Sequence, residues 1–134
     1  MNGWARHEPG RLDGMRVLLV EDDFLLLMEL ELIVLEAGAT IAGSCRTLGE
    51  GLDRAREVEI TAAVLDVRLG EETVVPLARE LTRRQIPFIF YTGQVKTDPL
   101  LAEWPECTIV SKPAPPAAIV AAVAALSPGH GRHL

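Results

Sequence analysis

Aromatic side chains are scarce, at 4% of residues, too few for the stacking platforms on which single-stranded nucleic acids lie. Basic residues are outnumbered by acidic ones, 13 to 19, for a formal net charge of −6. Nonspecific affinity for DNA or RNA comes from clustered Lys and Arg, so no nucleic-acid partner is expected. Cysteine is nearly absent. Cys45 and Cys107 make no disulfide framework, zinc quartet or CxxC pair, and they read as reduced thiols of a cytoplasmic protein. Long uninterrupted apolar runs are missing too. The most apolar stretch, residues 24–37, contains Glu29, Glu31 and Glu36, which excludes a comfortable transmembrane helix, and no membrane association is expected. Residues 1–14 are polar and mix Gly, Pro and both charge signs, unlike a targeting signal. No internal repeat or low-complexity linker is present.

What remains is an ordinary globular mixture. The chain has 134 residues, 49% apolar and 24% charged, enough for one domain with a sizeable core. Short apolar runs alternate with amphipathic ones. Residues 15–20 (MRVLLV), 40–45, 62–66 (AAVLD), 87–91 (PFIFY) and 108–110 read as strands. Residues 24–37, 47–58, 73–84 and 114–126 read as helices, the first closed by Gly38 and the second opened by a Thr47/Glu50 capping box. Continuous apolar strands alternating with helices predict an α/β fold with a parallel sheet covered on both faces. Five strands fit the flavodoxin-like, doubly wound order 2-1-3-4-5. The stretch between the fourth and fifth strands contains Pro99 and Pro105 and has room only for a short or irregular helix, about residues 98–103. The domain is placed at 15–126, with an extension at 1–14 and a tail at 127–134.

In open α/β sheets, ligands bind beyond the carboxyl ends of the strands, near the point where strand order reverses. The first strand ends in Glu21-Asp22-Asp23, the third in Asp66, the fourth in Thr92-Gly93 and the fifth in Ser111-Lys112-Pro113. The predicted order brings Asp22 and Asp66 to one pocket, with Thr92 and Lys112 on its other side. Crowded carboxylates repel one another, and oxygen-only ligands suit Mg²⁺. A carboxylate beside Mg²⁺ is a competent nucleophile toward phosphorus; Lys112 and Thr92 then neutralise and orient the phosphoryl oxygens. Taken singly, these residues have plainer readings: Glu21-Asp22-Asp23 as a helix N-cap cluster, Asp66 and Thr92-Gly93 as turns, Lys112 as a solvated lysine. Their occurrence in order at four strand ends favours the shared site. His7, His130 and His133 lie near the chain ends and read as solvated, and Trp104 reads as a packing residue.

The elements VLLVEDD, AVLDVRL, FIFYTG and VSKP resemble the receiver domain of bacterial two-component response regulators, over residues 15–126. The resemblance implies that Asp66 is the phosphoacceptor and that Asp22 and Asp66 bind Mg²⁺ directly. It further implies that Glu21 binds the metal through water, that the Arg68 backbone carbonyl completes the protein ligands, and that Pro113 follows Lys112 through a cis peptide. It implies a phosphoacceptor with slow self-catalysed turnover, not an enzyme proper, served by a histidine kinase or phosphotransfer protein. The closest likeness is to stand-alone receivers with a Phe-Ala-Thr-Gly type fourth-strand motif, from which this chain departs at Tyr91 and Gln94. Ordinary receivers carry Tyr or Phe where this chain has Ile109, so the segment 93–107, drawn by Thr92, is expected to change on activation instead. The expected function is a single-domain receiver that signals by protein contact or acts as a phosphate sink. The alternatives are a receiver fragment of a larger regulator, an Asp-nucleophile phosphatase and a receiver-like module that binds without phosphorylation. Such phosphatases carry a second acid where this chain has Arg68.

The first helix carries two apolar stripes at helical spacing. Leu26, Leu30, Ile33, Val34 and Ala37 form one; Phe24, Leu25, Met28, Leu32 and Leu35 form the other. One stripe suffices to cover the sheet. The second is either additional core or a contact surface, through Leu25, Met28, Leu32 and Leu35, for a partner or a second copy.

Overall fold

The computed structural model describes residues 10–93 and 99–127. Strands β1 (Arg16–Val20), β2 (Thr40–Cys45), β3 (Ala62–Leu65), β6 (Phe88–Thr92) and β7 (Ile109–Ser111) form one sheet in the order β2-β1-β3-β6-β7. Every pairing in it is parallel. Because both faces are covered, β3 and β6 are buried at every position, which is why their sequences are continuous apolar runs. Helices α1 (Phe24–Glu36) and α4 (Pro116–Ala124) cover one face; α2 (Leu48–Glu57) and α3 (Val75–Arg83) cover the other. This is the flavodoxin-like, doubly wound arrangement read from the sequence.

Side chains of β6 divide between the two cores. Phe88 and Phe90 join the cluster under α2 and α3, while Ile89 and Tyr91 join the one under α1 and α4. Leu12, in the stretch assigned to an N-terminal extension, is fully buried in the second cluster, and its N–H donates to Ala37 O at 2.8 Å.

The helix ends follow local chemistry. Asp23 caps α1 by accepting from Leu26 N–H at 3.1 Å, and Thr47 caps α2 by accepting from Glu50 N–H at 3.1 Å. The reciprocal arm of the expected capping box reaches one residue further, to the Arg46 N–H at 2.8 Å. Gly38 ends α1 at φ +104, where an added Cβ would stand 1.8 Å from Asp13 Oδ1; only glycine fits there.

The elements differ from the sequence reading in two ways. A small antiparallel hairpin, β4 (Arg68–Leu69) and β5 (Glu72–Thr73), follows β3. It turns at Gly70, φ +65, and delays the start of α3; two-residue strands carry no periodicity to detect. Among the described residues of the stretch after β6 there is a 3-10 turn, Pro99–Leu101, in agreement with the short or irregular helix expected at about 98–103. In α1 the fully buried positions are Leu27, Leu30 and Val34, whereas Leu26, Ile33 and Ala37 are half-buried. The five residues of the second stripe are all exposed, from Met28 at 44% to Leu25 at 71%. Among the described residues no helix is long and apolar enough to cross a membrane.

Candidate functional site

Four strand ends converge on one acidic pocket. Glu21 and Asp22 follow β1, Asp66 follows β3, Thr92 ends β6, and Lys112 follows β7. Backbone bonds fix these ends in register: Asp66 N–H donates to Val20 O at 2.9 Å, and Lys112 N–H to Thr92 O at 3.0 Å. Ligand oxygens of Glu21, Asp22 and Asp66 lie within 4.8 Å of one another. Glu21 is fully buried, Asp66 and Thr92 are buried, and Asp22 is half-buried.

The Lys112 ammonium spans two of the acids. Its Nζ stands 2.8 Å from Asp66 Oδ2 and 2.6 Å from Glu21 Oε1. The other Glu21 oxygen accepts from Asp23 N–H at 3.1 Å. Burial pushes the Glu21 carboxyl up to about 7, with the Asp66 charge adding to the rise and Lys112 and the Asp23 amide opposing it. Burial pulls the Lys112 ammonium down, but the Asp66 and Glu21 carboxylates outweigh it, and its pKa lies above the ordinary lysine value. The peptide joining Lys112 to Pro113 is cis.

Neighbouring residues frame Asp22 from two sides. Gly70 N–H, at the hairpin turn, donates to Asp22 Oδ2 at 3.0 Å. Arg46 donates from Nε and Nη2 to the Asp22 carbonyl, both at 3.2 Å, and its guanidinium lies over the Phe24 ring. Neither Gly70 nor Arg46 stands out in the sequence as a site residue. A glycine four residues after Asp66 was the available signal for a turn reaching back over the pocket. Arg68 is exposed on β4, two residues after Asp66.

Three carboxylates this close repel one another, and one cationic side chain reaches only two of them. The donor set is oxygen alone, which fits a hard divalent cation such as Mg²⁺. The pocket thus gathers three carboxylates, an ammonium and a hydroxyl-bearing strand end at one edge of the sheet.

No protein-family model matches the chain, and no curated protein sequence matches it. Solved structures do. SdrG from Sphingomonas melonis Fr1 is 34% identical, over 84% of this chain and 95% of that one, with a TM-score of 0.73. The receiver domain of the PhyR response regulator from Erythrobacter litoralis aligns at a TM-score of 0.76 and 22% identity, over 87% of this chain and 92% of that one. The chain belongs to the response regulator receiver family. The response regulator PhyR from Brucella abortus is 27% identical at a TM-score of 0.72; the match covers 82% of this receiver and 46% of that chain.

Proposed function

We propose that this receiver is a Mg²⁺-dependent phosphoacceptor. Asp66 accepts a phosphoryl group from a phosphohistidine of a histidine kinase or phosphotransfer protein, in the cytoplasm. The observation that carries the reading is the Lys112 ammonium held 2.8 Å from the Asp66 carboxylate beside the buried acids. An Asp66 oxygen attacks phosphorus; the new O–P bond forms as the N–P bond of the donor breaks, and the electron pair returns to the imidazole nitrogen. Asp22 and Asp66, Glu21 through water and the Arg68 carbonyl would hold Mg²⁺, which supplies charge neutralisation at the phosphoryl oxygens. Lys112 neutralises a further oxygen, and the Thr92 hydroxyl donates to another. Slow attack of water on the phosphorus returns the carboxylate, so the protein is a phosphoacceptor and not a turnover enzyme. Arg68 supports this over a phosphatase, because it cannot protonate a leaving group as a second acid would.

Output by protein contact fits the exposed stripe on α1. The helix carries Glu29, Glu31 and Glu36 and no basic residue, so the surface suits a protein partner with apolar side chains flanked by Lys or Arg. A second copy would set acid against acid. A receiver portion of a longer regulator is the second reading, supported by the partial coverage of the Brucella protein.

Incubation with acetyl phosphate and Mg²⁺ tests the acceptor. Intact mass should show one phosphoryl addition, absent in Asp66→Asn and absent with EDTA. Labelling that persists in Asp66→Asn would overturn the assignment.

A further inference from the structure

Tyr91 is the only tyrosine in the chain, and Lys112 is one of two lysines. The two side chains meet. Lys112 Nζ lies 5.6 Å from the centroid of the Tyr91 ring, within the range over which an ammonium is attracted to an aromatic face. The ring is 5% exposed and the lysine side chain 16%, so little water screens the contact.

The ammonium therefore has partners of two kinds. Asp66 and Glu21 hold it by charge, and their pull changes whenever either acid gains a proton, a cation or a phosphoryl group. The ring holds it through a fixed quadrupole that none of those events alters. Backbone pairing fixes the ring's position, because Tyr91 lies opposite Val110, and Thr92 opposite Ser111, in the β6–β7 ladder. Consecutive residues of β6 thus bracket the acceptor site: Tyr91 packs on the α1–α4 side, and Thr92 is the strand's last residue. Tyr91 also lines a groove of about 410 Å³ between α1 and α4, together with Leu26, Ile33, Pro113 and Ile119. Pro113 directly follows Lys112, so groove and acceptor site share a wall.

We propose that Tyr91 is a positioning residue that keeps the Lys112 ammonium at the acceptor oxygens while the charge on the acids changes. Its effect on phosphorylation rests on the reading of Asp66 as acceptor; its contact with Lys112 does not.

The test uses the full chain and two readouts. In NMR spectra of the metal-free protein, the Lys112 ε-methylene protons should resonate upfield of their position in the urea-unfolded chain, because the ammonium they adjoin lies over the ring. Tyr91→Phe should keep this displacement and Tyr91→Leu should abolish it. In acetyl phosphate with Mg²⁺, Tyr91→Leu should take up phosphate roughly three- to tenfold more slowly, with Tyr91→Phe within about twofold of the parent. A Lys112 signal at its unfolded-chain position in the folded parent overturns the proposal, as does a folded Tyr91→Leu that is phosphorylated at the parental rate. If Tyr91→Leu does not fold, Tyr91→Met replaces it in both readouts. If the parent itself takes up no phosphate, the acceptor reading fails, and the lysine signals still decide whether Tyr91 holds Lys112.

Discussion

The Trp104 indole N–H donates to Thr82 Oγ1 at 3.0 Å, tying the stretch after the 3-10 turn to α3. The same ring lies edge-on to Phe90 at 5.8 Å and Phe88 at 6.1 Å, and Arg79 on α3 holds Glu103 through Nη2 at 3.0 Å. Phe90 precedes Thr92 by two residues on β6, on the same side of the sheet. Trp104 thus rests on the strand that ends in Thr92. Ile109, half-buried against this core, is not the aromatic side chain that ordinary receivers carry there.

This packing makes residues 99–107 the segment expected to respond to the acceptor site. With beryllofluoride and Mg²⁺, hydrogen exchange should change across these residues and Trp104 fluorescence should shift; Thr92→Ala should suppress both. Unchanged exchange there, with changes confined to other elements, would refute the coupling. Residues 94–98 of the expected segment lie outside the described residues. Trp104→Phe loses the bond to Thr82 and part of the ring packing, and should lower unfolding free energy by about 1–2 kcal/mol in urea titrations.

The α1 stripe gives a second expectation. Leu32 is 59% exposed and Leu35 50%, so Leu32→Glu combined with Leu35→Glu should cost no more than about 1 kcal/mol of stability. The variant should accept phosphate from acetyl phosphate normally and lose most transfer from its protein phosphodonor. A folded variant with undiminished transfer would remove α1 from the contact surface.

Glu21 sets a pH dependence in the metal-free protein. Its carboxyl is raised from 4.5 to about 7 chiefly by burial, so the folded state holds the proton more tightly than the unfolded chain. The resulting stabilisation is complete below pH 4.5 and is lost as pH rises through about 7. In EDTA, urea titrations at about pH 5 and about pH 8 should differ less for Glu21→Gln than for the parent, by about 2–3 kcal/mol. Equal pH dependence in both proteins would show that Glu21 does not titrate in this range.

The two thiols should be sluggish. Cys45 and Cys107 are unpaired, and burial pushes both up to about 11. At about pH 8 this lowers the thiolate fraction by about a hundredfold relative to an ordinary cysteine. Iodoacetamide should label the native chain slowly and the urea-unfolded chain fast. Rapid labelling of the native protein would show that local opening exposes them.

Much of this protein is legible along the chain. A strand buried on both faces must be apolar throughout, so β1, β3 and β6 stand out as runs. In a parallel sheet all their carboxyl ends lie on one side, so Glu21, Asp22, Asp66, Thr92 and Lys112 follow from strand ends alone. Local backbone chemistry likewise announces the Asp23 and Thr47 helix starts and the Gly38 stop. Tertiary structure decided what depends on residues far apart in sequence. The Gly70–Asp22 bond joins positions 48 residues apart, and Lys112 reaches Asp66 across 46. The choice of Leu27, Leu30 and Val34 as the buried line of α1, and the exposure of its second stripe, depend on how the helix is rotated against the sheet. A helix apolar on most sides leaves that rotation open along the chain; packing against β1, β2 and α4 fixes it.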